Sequence, residues 1–211
     1  MGKEFIELFE QWADTYDESL TNDREYKEVF RHYEEILQEV ADRSFGHIVE
    51  FGPGTGNLTL KLIDKGFSVT AIEPSPAMRK LAKEKIGDKT IIKDGDFLQF
   101  ELNETPDTFV STYAFHHLTD KEKKDAIIQY SNYLPIDGKI VFADTMFESK
   151  EDYHQAIDNA VKLGFHHLAE DLKREYYTTI PVLTNILQEQ GFTVAFKRFN
   201  DFVWIMEGVK K

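Results

Sequence analysis

The chain has 211 residues, 41% of them hydrophobic, which suffices for a single domain with a full core. Cysteine is absent, which excludes disulfides, thiolate metal ligands and cysteine nucleophiles and fits a reducing cytoplasm. A formal charge of −13, from 38 acidic and 25 basic side chains, repels a phosphate backbone and argues against nucleic acid as a substrate.

The N-terminus carries no apolar signal region and no run reaches the length of a membrane span, so a soluble cytoplasmic protein without membrane contact is expected. Two amphipathic helices open the chain. Phe5, Leu8, Phe9, Trp12 and Tyr16 recur at helical spacing, and so do Tyr26, Val29, Phe30, Tyr33, Ile36, Leu37 and Val40, with Asn22 placed as the second N-cap. Core packing accounts for most of both stripes. Trp12, Tyr16 and Asp17 stand apart, because an aromatic pair beside a carboxylate can close over a ligand.

The apolar run 47–49 then leads into Glu50-Phe51-Gly52-Pro53-Gly54-Thr55-Gly56-Asn57 and a helix closed by Gly66. Three alternate glycines permit positive φ and let a ligand approach the backbone, so this strand, loop and helix form a cradle for a nucleotide-like molecule. Strands are predicted at 67–72, 90–92, 108–112 and 139–144. Helices are predicted from Ser75-Pro76 to Gly87 and, behind the capping box Thr119 to Glu122, through Leu134. Residues 148–175 read as a charged helical insertion over the active face. A helix at 181–190 and two strands at 192–196 and 202–207, joined by a turn at Asn200-Asp201, complete the chain.

Strands alternating with helices imply right-handed crossovers and a doubly wound, mostly parallel α/β sheet, whose ligands sit beyond the carboxyl ends of the strands. The candidates are therefore the strand ends: residues 50–56, Glu73, Asp96, residues 113–117 and Asp144. A P-loop would need a lysine where Asn57 stands. A dinucleotide pyrophosphate would face the carboxylate of Glu50. S-adenosylmethionine fits better, because its ammonium and sulfonium favour carboxylates and aromatic faces. On this reading Glu73 accepts the ribose hydroxyls, Asp96 accepts the adenine amine, and Met78 and Phe97 supply apolar walls.

These residues, with Ala114-Phe115-His116-His117-Leu118 and the stretch 134–139, resemble a small bacterial class I S-adenosylmethionine-dependent methyltransferase from Trp12 to about Asp144. The resemblance implies a Rossmann-like seven-stranded sheet of order 3-2-1-4-5-7-6 with the last strand antiparallel. It implies a single domain divided into an N-terminal helical lid (1–45), a cofactor-binding core (46–147), a helical insertion (148–175) and a closing helix and hairpin (176–211). It also implies methyl transfer to a small-molecule acceptor, with Glu50, Gly52, Gly54, Gly56, Glu73, Met78, Asp96, Phe97 and Ala114 at the cofactor. His117 and His116 are the candidate bases, and Tyr16, Tyr113 and Tyr176 are candidates for the acceptor pocket. No metal is expected, since adjacent histidines should diverge and no cysteine assists. A cofactor-binding protein without transfer activity and an NAD-dependent oxidoreductase are the competing readings. Neither the acceptor nor the oligomeric state follows from the residues.

Overall fold

A computed structural model describes residues 23–211; the first expected helix, with Trp12 and Tyr16, lies outside them. The second helix is shorter than its apolar stripe implies. Residues 24–32 form turns, and α1 (Tyr33–Arg43) starts only after His32, which is left-handed at φ 67°. The reason is distant in sequence: the Asn200 side-chain amide donates to the carbonyls of Val29 and Arg31 at 3.2 and 2.9 Å. A helix continuing through this region would need those carbonyls for its own ladder.

The sheet follows the expected pattern. β1 (His47–Phe51) lies in parallel between β2 (Ser68–Ile72) and β4 (Thr108–Thr112), with β3 (Ile91–Lys93) outside β2 and β5 (Lys139–Phe147) beside β4. The crossover segments carry α2 (Asn57–Asp64), α3 (Pro76–Ile86) and α4 (Asp120–Tyr133). Local chemistry sets the starts of the last two. Ser75 accepts the Met78 amide ahead of Pro76, and Thr119 and Glu122 form the reciprocal capping box.

After β5 the chain makes two helices where one helical stretch was expected. Gly164, at φ 73°, separates α5 (Lys150–Leu163) from α6 (His166–Arg174). An unpredicted two-residue strand, β6 (Thr178–Thr179), pairs in parallel with Met146 and Phe147 before α7 (Ile180–Glu189). β7 (Phe192–Arg198) and β8 (Val203–Lys210) close the sheet as a hairpin, β8 running antiparallel to both β5 and β7. The main path is β3-β2-β1-β4-β5-β8-β7, which, without β6, is the expected order of seven strands with the last one reversed.

Apolar layers cover both faces, so β4 and β5 are nearly continuous buried runs. On one face Phe51, Phe109 and Tyr130 stack with centroids 4.5 to 5.6 Å apart, and the Tyr130 hydroxyl donates to the Phe97 carbonyl. Such ring pairs contribute about 0.5–1.5 kcal/mol each beyond their buried area. This packing rigidifies the strand ends on which the site is built. Among the described residues no helix is long and apolar enough to cross a membrane.

Candidate active site

β1 runs into the glycine loop, where Gly52, Gly54 and Gly56 take φ of 63°, 55° and 89°. The glycines serve different ends. A Cβ at Gly52 would stand 2.9 Å from the Ala114 Cβ, and one at Gly56 2.6 Å from Ile86 Cδ1, so both make room for neighbouring elements. A Cβ at Gly54 would meet no heavy atom within 4 Å among the described residues, so there the backbone is bared toward a cavity.

That cavity brings together seven of the nine residues expected at the cofactor: Gly52, Gly54, Glu73, Met78, Asp96, Phe97 and Ala114. Tyr33, Asn57, Thr112, Tyr113 and His117 also line it. Glu50 and Gly56 are not at its surface. Glu50 is buried beneath the loop, where its carboxyl accepts the Thr59 hydroxyl at 2.6 Å. Burial, with the like charge of Glu73, pushes its pKa up to about 8 against the Thr59 bond.

Glu73 faces the cavity from the end of β2. One oxygen accepts the Gly54 amide at 3.1 Å and the other the Ser75 amide at 2.8 Å. Arg79 holds the same turn through the Glu73 and Pro74 carbonyls. Burial raises the Glu73 carboxyl to about 7 despite these two bonds. Asp96 is oriented by the Leu98 and Gln99 amides at 2.8 and 2.9 Å, an Asx-type turn that fixes the carboxylate at the cavity wall.

The end of β4 supplies the second half of the site. Tyr113, a non-glycine residue at φ 54°, turns the chain into a short 3₁₀ segment, Phe115–His117. Asp144, in β5, accepts the His116 amide at 2.9 Å and bonds its Nδ1 at 2.6 Å. His117 Nδ1 lies 2.9 Å from a Glu175 oxygen. Burial pulls the His116 imidazole down, but the Asp144 charge and hydrogen bond outweigh it and hold the pKa above 6.5. His117 goes the other way, to about 4, through burial and the neighbouring His116 charge.

The two rings do not diverge as expected: their centroids are 4.2 Å apart, and one ligand-type atom from each of His116, His117 and Glu175 lies within 4.8 Å of the others. Around this group two carboxylates face two basic side chains. Burial pushes the Glu175 carboxyl up, but the His117 bond and the His116 charge outweigh it and leave it below its ordinary pKa; Asp144 is likewise lowered, and His116 and Lys123 stand opposite them. Lys123 is buried and donates to the carbonyls of Leu118 and Tyr176, tying the 3₁₀ segment to the chain after α6.

Of the residues expected at the acceptor, Tyr113 lines the cavity and packs 5.6 Å from Tyr33, while Tyr16 lies outside the described residues. Tyr176 is exposed and reaches the site through its amide, which donates to the His116 carbonyl. Its neighbour Tyr177 stacks on the His116 ring at 5.0 Å and 27°. Sequence reasoning missed Glu175, Lys123, Thr59 and Tyr33 as site residues. Only the capping box marks the start of Lys123's helix, and nothing separates that lysine from Lys121 or Lys124.

Comparison with known proteins agrees with this fold. A chain from Geobacillus sp. (strain WCH70), described as an uncharacterized methyltransferase, is 58% identical over the full length of both sequences. One from Bacillus subtilis (strain 168), described in the same way, is 55% identical over the same span. Among solved structures, the DhpI-SAM-HEP complex superposes with a TM-score of 0.72 at 16% identity, covering 97% of this chain and 96% of that one. Magnesium protoporphyrin IX methyltransferase (ChlM) from Synechocystis PCC 6803 with bound SAH gives 0.69 at 16% identity, over 97% and 99%. A family model described as a methyltransferase domain matches residues 24–195, and the chain belongs to the methyltransferase-domain family.

Proposed function

We propose that the protein transfers the methyl group of S-adenosylmethionine to a small-molecule acceptor. The observation that carries this reading is the cavity beyond β1, β2 and β4, where Gly54, Glu73, Asp96, Met78 and Phe97 converge. Glu73 would hold the ribose hydroxyls, Asp96 the adenine amine, and Met78 and Phe97 the faces of the base. The Gly54 amide is already committed to the Glu73 carboxyl, so the loop does not offer it to a pyrophosphate, which disfavours a dinucleotide.

When bound, S-adenosylmethionine supplies an electrophilic methyl carbon, whose bond to sulfur breaks toward a neutral thioether as the acceptor's lone pair forms the new bond. The chain's own contribution is to align the acceptor and exclude water, worth on the order of 10⁵ M in effective molarity. An acceptor that carries a proton also needs a base, and His116 suits this better than His117. Asp144 fixes its Nδ1 and stabilises the imidazolium, which leaves Nε2 to take the proton. The low pKa of His117 makes it a neutral hydrogen-bonding wall of the cofactor cavity.

Calorimetric titration with S-adenosylmethionine and with NAD tests the cofactor, and micromolar binding of NAD alone would overturn the reading. Release of S-adenosylhomocysteine across a metabolite panel tests transfer. Tight cofactor binding with no turnover on any acceptor would favour a non-catalytic binder.

A further inference from the structure

A second cavity has Tyr177, the residue that stacks on His116, in its wall. It has a volume of about 300 Å³, and its wall includes Lys150, His154, Thr178, Thr179, Tyr177 and Asp120. Its chemistry runs against the rest of the molecule. In a chain of charge −13, Lys150 and His154 face a single carboxylate, that of Asp120, which is drawn toward Lys123 at 3.8 Å. Lys150 is exposed and makes no ion pair or hydrogen bond among the described residues. The other large cavity, beside β8, has Glu25, Glu28, Glu148, Asp152 and Asp201 against one arginine, Arg198.

One helix start adds backbone donors. α7, ten residues long, starts at this wall with Thr179 as N-cap, yet no side chain caps it, so the positive end of its dipole is turned to the cavity without an internal partner. Lys150 itself is the first residue of α5. Independently, Thr178 is only 6% exposed and its Oγ1 is buried with no hydrogen-bond partner. A buried hydroxyl without a partner costs about 1–3 kcal/mol, which a ligand that accepts from it would recover.

From these observations we infer that the cavity binds the anionic group, a carboxylate or phosphate, of a small molecule. The inference rests on the methyl-transfer reading for its purpose. Tyr177 stacks on the His116 ring and also lines this cavity, so an anion held against Lys150 and the start of α7 lies next to the histidine turn. The pocket thereby selects anionic acceptors.

Inorganic phosphate serves as the probe, titrated calorimetrically into the full chain. Wild type binds it, Lys150→Glu weakens that binding at least about tenfold by replacing a charge-assisted contact with repulsion, and Thr178→Val weakens it severalfold. Glu is favoured at the first position of a helix, so the Lys150→Glu fold is retained, and a separate S-adenosylmethionine titration should give wild-type affinity. Loss of cofactor binding in wild type would instead condemn the methyl-transfer reading and leave the phosphate result standing by itself. Phosphate binding equal in wild type and Lys150→Glu, or absent from both, overturns the site. On an acceptor panel, a KM raised by Lys150→Glu only for anionic acceptors assigns the pocket to the acceptor. An unchanged KM with lost phosphate binding assigns it to a free anion.

Discussion

Replacing Glu73 with Gln separates the stability of the empty protein from its hold on the cofactor. The buried carboxyl has a pKa of about 7, against about 4.3 in an unfolded chain. A raised carboxyl contributes its stability at low pH and loses it as pH rises toward the folded value, so at pH 7 ionisation in the unfolded state costs the fold on the order of 3 kcal/mol. Gln removes that cost. It also turns an amide NH₂ toward either the Gly54 or the Ser75 amide, now 3.1 and 2.8 Å from carboxylate oxygens, and leaves one donor unpaired at about 1–3 kcal/mol. The two effects nearly cancel, so the melting temperature of the empty protein at pH 7 should move little, with the variant gaining on wild type as pH rises from 5 to 7.5. Cofactor binding has no such compensation. The ribose hydroxyls lose an ionised acceptor, worth about 1.5–3 kcal/mol, and Kd should rise roughly 10- to 100-fold. Wild-type affinity should weaken as pH falls below about 7, because the proton must leave Glu73 before the diol can bind, and the variant should lack that slope. Titration calorimetry at pH 6, 7 and 8 reads both. A Gln variant that binds S-adenosylmethionine within threefold of wild type at pH 8, or keeps the wild-type slope, refutes the reasoning.

Asp144→Asn should lower turnover by about 10- to 100-fold through loss of a charge-assisted bond, and should shift the acid limb of the kcat/KM profile to lower pH. The direction follows from Asp144 holding the His116 pKa above 6.5; an acid limb that stays in place would remove His116 as the base. Gly52→Ala places a Cβ 2.9 Å from that of Ala114 on a backbone at φ 63°, a combination that forces the glycine loop away from β4. Cofactor affinity should fall at least tenfold with a destabilisation of about 1–3 kcal/mol, and unchanged affinity by calorimetry would show that the loop can yield without loss.

What could be read from the sequence was whatever is settled within a few residues. The glycine loop, the Ser75-Pro76 start and the Thr119 to Glu122 capping box each satisfy backbone groups locally, so their residue types announce them. Strand-end reasoning reached Glu73, Asp96, the two histidines and Asp144 because a parallel sheet brings those ends together whatever else the chain does. It failed at β6, where two threonines become a strand only through pairing with Met146 and Phe147. The stripe that predicted a helix through Tyr26 and Val29 failed because Asn200, more than 160 residues later, captures the carbonyls that helix would use.

The histidine half of the site shows the same limit in its electrostatics. His116 and His117 are adjacent and chemically identical in the sequence, and on residue type alone His117 was as good a base as its neighbour. Their proton affinities separate because two acids from different parts of the chain reach them unequally. Asp144, in β5, meets His116 with both its oxygens, while Glu175, beyond the inserted helices, gives His117 one bond that does not offset burial and the adjacent imidazolium. The difference between the two histidines is thus made by the insertion and by β5 rather than by the histidine motif. Lys123 belongs to the same argument. Its ammonium is spent on the carbonyls of Leu118 and Tyr176, and by joining the histidine turn to the segment that carries Glu175 and Tyr177 it sets the distances that keep the two imidazoles unlike.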